Sequence, residues 1–321
     1  PGLGRLWLFT LGIFFFSMTR EVQNKYLQAE ERSVLYSSIA FAKLIVEISL
    51  QIIFLVRFGW GLEGLFGAVL LSEALFSCVL AAIVLPRVGL GFSKPILLTL
   101  VAFTLPLVPS GVFQFCLHSS DRYLLGWITE GTEQVGIYGL AYKLGYVPNY
   151  LIVTPFLLVW YPFLFSLGDE RKQALICGRL LPVFMLAMTG VVFLLSVFAQ
   201  DIVQTLARRS GYHDAWKAIP IISLGYWFWS MFHMSQTGLY IKKATASVMW
   251  LSGAAVLVNV YLNLLLIPLY GFMGAAISTA VTFAVLVITT RAKSQAVFPI
   301  EVEWRKVCLP MLLAAGLYLG V

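Results

Sequence analysis

A Gly-x-x-Gly turn set between two apolar stretches occurs twice in this chain, 210 positions apart. Gly61-Leu62-Glu63-Gly64 returns as Gly271-Phe272-Met273-Gly274, and the same offset carries Arg32 onto Lys242. About twenty-five apolar residues precede each turn and about twenty follow it. An apolar stretch of roughly twenty residues is what a helix needs to cross a hydrocarbon core. A repeated pair of such stretches therefore constrains the chain to a duplicated bundle of membrane helices.

The remaining apolar runs agree. They lie near 6–24, 34–56, 62–85, 96–118, 136–165, 176–199, 217–239, 246–267 and 271–290, and a tenth starts near 307. Apolar residues make up 60% of the chain and charged residues 12%, against roughly 25% charged in ordinary soluble domains. The runs are too long and continuous for the alternating strands of a barrel, so the expected fold is all-α, a polytopic bundle of nine or ten helices. The net charge of +7 is spread thinly through short connections, without the basic and aromatic clustering of a nucleic-acid surface, so no nucleic-acid partner is expected.

Lys and Arg also set the expected orientation. Odd-numbered connections hold 14 of the 22 and even-numbered ones 6, with Lys43 and Lys143 inside runs. That bias puts the odd connections in the cytoplasm. Runs 1–3 correspond to runs 7–9, so the repeat unit is six helices. An even unit re-enters the membrane from the same side, which makes the repeats parallel. Three helices are then expected ahead of Pro1. The expected division is 1–90 as the second half of one lobe, 91–295 as a complete six-helix lobe, and 296–321 as the start of a further helix.

Other features are weaker. Cys78, Cys116, Cys177 and Cys308 stand singly, with no Cys or His at metal spacing, so neither a metal nor a cofactor is expected. Pro148, Pro155 and Pro162 recur every seven residues in run 5, which suggests a helix bent for function. Single prolines elsewhere read as tolerated. His233, Gln236, Asn259 and Asn263 read as interhelical hydrogen bonds. The charges at Asp201, Arg208, Arg209, His213 and Asp214 read as a solvated outer loop. Trp160, Trp227, Trp229 and Trp250 read as an interfacial belt.

Three segments resemble one family. Asn259–Thr279 carries Asn259, Asn263, Pro268, Gly271, Gly274 and Ala275-Ala276 in the order of its best-marked stretch. Asp121-Arg122 through Gly126, then Val135-Gly136, Tyr138 and Lys143, is similar to a second. Leu27–Arg32 with Tyr36 is similar to a third. The chain thus resembles the polysaccharide (lipid-linked oligosaccharide) flippase branch of the multidrug/oligosaccharidyl-lipid/polysaccharide exporter superfamily, truncated at its N-terminus. The resemblance implies two six-helix lobes around a central cavity, the first incomplete here. It also implies alternating-access transport of an isoprenoid-pyrophosphate-linked oligosaccharide across the bacterial inner membrane, with no catalytic residues.

Ionisable side chains inside spans mark a pathway by default. Lys43 and Glu47 stand four apart on one helix face. They read either as a structural ion pair or as a cavity cation with its neighbour. Glu73 has no cation near it in sequence, and reads as a coupling group for a proton or sodium or as the partner of a cation on another helix. Lys143 is the first choice for a cavity cation. Asp121 and Arg122, beside His118, are either substrate contacts or an interfacial ion pair with Arg122 snorkelling. The expected set is Lys43, Lys143, Arg122 and Asp121 for substrate, and Glu73 and Glu47 for coupling. The expected partners are the lipid-linked oligosaccharide and the bilayer, with the protein a monomer. A drug/cation antiporter of the same superfamily should carry acidic cavities, which Lys43 and Lys143 argue against. A membrane enzyme acting on lipid-linked sugars should carry a large outer loop, and no connection exceeds about seventeen residues.

Overall fold

Peptide groups in hydrocarbon must find their hydrogen-bond partners within the chain, and a continuous helix provides them all. The computed structural model describes residues 2–30, 32–89, 91–129, 132–207 and 210–320, and these are helical almost throughout, with no strand among them. The chain divides into two compact units, Pro1–Ser93 and Lys94–Val321.

The first unit holds α1 (Gly2–Ala29), α2 (Ser33–Ile52), which ends in a π-helical turn over Ile53–Arg57, and α3 (Gly61–Val88). Both α1 and α2 pack on α3. The second unit holds α4 (Lys94–Thr104), α5 (Leu107–Thr129), α6 (Thr132–Gly145), α7 (Thr154–Ser166), α8 (Glu170–Val197), α9 (Ala199–Leu206), α10 (Ile219–Ile241), α11 (Thr245–Tyr270), α12 (Phe272–Val297) and α13 (Trp304–Gly320). Its centre is α10, packed against α12, α8, α6 and α11.

Proline sets the breaks. Run 4 divides into α4 and α5 at Pro106, and run 5 divides into α6 and α7 around a π-helical turn, Asn149–Val153, flanked by Pro148 and Pro155. A proline cannot donate its backbone hydrogen bond and crowds the preceding turn, and a π turn absorbs the displaced register. Pro182 and Pro268 stay inside α8 and α11.

The Gly-x-x-Gly turns have the same geometry in both units. Gly61 has φ +54° and Gly271 has φ +56°, the left-handed region that glycine enters without strain. Each begins the helix that folds back on its predecessor.

Each of the nine expected runs is helical, and seven segments among the described residues are long and apolar enough to cross a membrane. α10 carries Ser, Thr, His and Gln among its apolar residues, and its neighbours bury it on most sides. Two expectations are corrected. The outer connection is helical rather than a loop: α9 buries Ala199 and Val203 and a 3₁₀ helix follows over Ser210–Lys217, while Asp201, His213 and Asp214 are exposed as expected and Asp214 pairs with Lys217 at 2.7 Å. Arg208 and Arg209 lie outside the described residues. Of the four tryptophans placed in a belt, only Trp250 is exposed. Trp160 and Trp227 are buried and donate to Thr237 Oγ1 (3.4 Å) and Thr189 Oγ1 (2.9 Å), and Trp229 is buried as well. A buried indole N–H needs a partner, and interior threonines supply it.

Candidate functional site

The sequence places Glu73 without a cation, and the fold brings it two. In the first unit Arg20 of α1 donates from Nε to Glu73 Oε2 at 2.7 Å, and Lys43 Nζ of α2 lies 3.1 Å from Glu73 Oε1. Lys43 also bonds Glu47, and Gln51 Nε2 reaches Glu47 Oε1 at 3.5 Å. Two cations and two carboxylates from three helices thus neutralise one another, with the Glu73 side chain only 8% exposed. Charges this far from water are held by such pairing. The network continues a polar seam. Gln23 and Asn24, three and four residues after Arg20, are buried on α1, and Ser72 and Ser77 are buried on α3. Gln23 Oε1 and Ser72 Oγ have no hydrogen-bond partner among the described residues.

Helix α1 continues past run 1 to Ala29, which leaves Arg20 inside the helix, reaching Glu73 on α3. No sequence spacing joins positions 20, 43 and 73, so only packing reveals the cluster.

In the second unit, α5 continues eight residues beyond Asp121 to Thr129. Asp121 is therefore interior and fully buried. Its carboxylate accepts from the Tyr138 hydroxyl, from Thr279 Oγ1 at 3.3 Å and from the backbone N–H of Arg122 at 2.8 Å. The Arg122 side chain turns elsewhere, its guanidinium carbon 4.2 Å from the centre of the Tyr142 ring, a cation–π contact. The interfacial ion pair is thereby corrected: Asp121 takes neutral donors and Arg122 takes an aromatic face. Arg122 Nε is buried with no hydrogen-bond partner among the described residues.

Around this pair lies a constellation the sequence reading did not weigh. Tyr226 donates to Tyr142 at 2.6 Å, and His118 Nδ1 lies 3.0 Å from both hydroxyls. The available signal was Tyr138, Tyr142, Tyr146 and Tyr150, spaced by four, which lines one helix face with phenols. Lys143 follows Tyr142 in sequence but is exposed, with no ion-pair partner among the described residues. Asn259 accepts from Ser120 at 3.0 Å and donates to Thr282 at 3.3 Å, and Gln236 donates to Tyr161 at 3.2 Å. These are the interhelical bonds expected of them. Asn263 donates to Asn259 within α11.

Among solved structures, the chain is similar to a mutant of the Vibrio cholerae MATE transporter VcmN. The TM-score is 0.78 at 14% identity, covering 90% of this chain and 68% of that one. A MATE in the straight conformation gives 0.73 at 17% identity, covering 91% and 68%. VcmN in its bent form gives 0.70 at 14%, covering 98% and 70%. No curated protein matches the chain. At such identities the likeness is one of fold, and the fold is that of MATE transporters. Residues 3–219 match the family described as polysaccharide biosynthesis protein. The chain is thus a multi-pass membrane protein that belongs to the polysaccharide biosynthesis protein family and has the fold of MATE transporters.

Proposed function

We propose that the protein flips an isoprenoid-pyrophosphate-linked oligosaccharide across the bacterial inner membrane by alternating access. The observation that carries this reading is membership of the polysaccharide biosynthesis family on a transporter fold. In this reading residues 1–90 belong to one lobe, 91–295 form the other, and 296–321 begin an additional helix. The protein works as a monomer and without catalytic residues.

Lys143 and Arg122 make no salt bridge among the described residues, and they hold the pyrophosphate. Lys143 serves as a point charge and Arg122 as a fork. Asp121 acts behind Arg122, fixing its backbone from the interior. Lys43 is compensated by Glu47 and Glu73. Uptake of a proton or sodium by the two carboxylates frees Lys43 and Arg20 to attract the anionic substrate, and loss of the ion recaptures them. This exchange couples an ion gradient to substrate affinity through the same four charges.

A drug/cation antiporter is the second reading, favoured by the MATE neighbours and by the interior carboxylates. One experiment separates the two. Deleting the gene for the full-length protein is expected to trap lipid-linked oligosaccharide on the cytoplasmic face. Plasmid-borne protein should clear it, and Lys143→Ala or Arg122→Ala should clear it roughly ten- to a hundredfold less efficiently, the scale of a lost charge-assisted hydrogen bond. Absence of the trapped lipid sinks the flippase reading. Full rescue by both variants sinks the assignment of the cations.

A further inference from the structure

Helices α8 and α13 run side by side in the second unit, and the contact between them is not filled. Near one end a cavity of about 380 Å³ is lined by Pro182, Val183, Leu186 and Leu309 together with Arg305 and Lys306. Further along the same two helices a second cavity of about 240 Å³ is lined by Val192, Ser196, Met311, Ala314 and Tyr318, with Leu224 of α10. Positions advance together on both helices, so the helices are parallel and the two cavities are successive parts of one seam. From Val183 to Ser196 the seam runs about 20 Å at the helical rise. One leaflet of hydrocarbon is about 15 Å deep.

The seam is apolar along its length and basic at one end only. Lys306 shares its charge with Glu303 at 2.8 Å. Arg305 is exposed and has no ion-pair partner among the described residues. Trp304, half-exposed, lies under the Arg291 guanidinium at 5.0 Å, an aromatic at the level where a headgroup region begins. A basic pocket at the mouth of an apolar groove between spans matches an amphiphile with a negative head and a hydrocarbon tail. We infer that the α8/α13 seam binds an anionic phospholipid of the leaflet on the basic side, its phosphate at Arg305 and Lys306 and one acyl chain along the groove. The seam contains none of Lys143, Arg122, Lys43 or Glu73, so this site stands apart from the proposed substrate path.

The test uses the full-length protein in nanodiscs of phosphatidylglycerol or phosphatidylcholine, released for native mass spectrometry. Wild type is expected to retain phosphatidylglycerol in preference to phosphatidylcholine, and to melt at a higher temperature with it. The Arg305→Ala/Lys306→Ala variant should bind phosphatidylglycerol roughly thirtyfold more weakly and lose the preference. Ala314→Trp keeps both charges, fills the groove and should lose retention of either lipid. Should the alanine variant not fold, Arg305→Gln/Lys306→Gln provides the same reading. Equal retention of the two lipids by wild type overturns the inference. So does an unchanged preference in the charge variant, or displacement of phosphatidylglycerol by a short isoprenoid pyrophosphate.

Discussion

Glu73→Leu is expected to destabilise the first unit by about 3 kcal/mol, the scale of breaking a buried ion pair or leaving Arg unpaired within a span. The change removes the one carboxylate that Arg20 reaches among the described residues, at 2.7 Å, while Lys43 keeps Glu47. The loss therefore falls mainly on Arg20, whose guanidinium stays in the interior between α1 and α3 without a counter-charge. The double variant Arg20→Met/Glu73→Leu removes both charges and replaces them with side chains of similar volume. It is expected to lie within about 1 kcal/mol of wild type, because apolar replacement of a whole buried pair is often neutral. Unfolding in lipid bicelles would read the difference. Equal destabilisation by the single and double variants would show that the loss is one of packing and not of charge. The double variant also separates stability from coupling. If Glu73 couples an ion to transport, a stable Arg20→Met/Glu73→Leu protein should still fail to clear lipid-linked oligosaccharide in cells. Normal clearance by that protein would remove Glu73 and Arg20 from the proposed mechanism.

The same cluster shows what the sequence made legible and what it did not. Positions and types of helices followed from apolar length, because the bilayer allows little else. The i, i+4 pairing of Lys43 and Glu47 could be read from spacing, because both lie on one helix. Its link to Glu73 and Arg20 could not, since that depends on which faces of α1, α2 and α3 meet. At the repeat offset, Arg20, Lys43, Glu47 and Glu73 correspond to Ser230, Gly253, Leu257 and Phe283. Phe283 is fully buried and packs against Trp229 (4.9 Å) and His118 (5.6 Å). The duplication thus preserves the turn and the helix order while its two copies carry different interiors, one ionic and one aromatic. A repeat argument reaches the architecture through the shared glycines. It has no purchase on chemistry that each copy acquired separately. The outer segment 199–217 escaped for another reason: its charges suggested a loop, yet α9 needs only Ala199 and Val203 on one face to dock.

Gly274→Ala is expected to be the most damaging methyl addition in the second unit, at on the order of 3 kcal/mol, the upper range of overpacking. Helix propensity alone would favour alanine by roughly 1 kcal/mol, so the sign depends on space. A Cβ at Gly274 would overlap the carbonyl oxygen of Leu266 and crowd its carbon and the nitrogen of Ile267. These are backbone atoms of α11, so no side-chain rotation relieves the clash. The α11–α12 pair would have to separate along a seam that includes Asn259, Asn263, Ile267, Ala275 and Ser278, all buried. Small residues at such a crossing let helices approach in lipid, where van der Waals contact carries much of the association. Gly64 offers the comparison within the same repeat. Its added Cβ would meet Trp60 Cβ at 2.9 Å, Phe54 Cβ at 3.2 Å and the Phe54 carbonyl at 3.3 Å. Those residues sit in the turn and in the π-helical end of α2, which can shift more easily than a packed helix. Gly64→Ala should therefore cost about 1 kcal/mol after the propensity gain. Thermal unfolding in one detergent should lower the second unit's midpoint by about 6–12 °C in Gly274→Ala, at about 2–4 °C per kcal/mol for a unit of its size, and the first unit's by about 4–8 °C in Gly64→Ala. An unchanged midpoint in Gly274→Ala would mean that α11 and α12 do not approach as closely as their backbones indicate, and that the second Gly-x-x-Gly is needed only for the left-handed turn at Gly271.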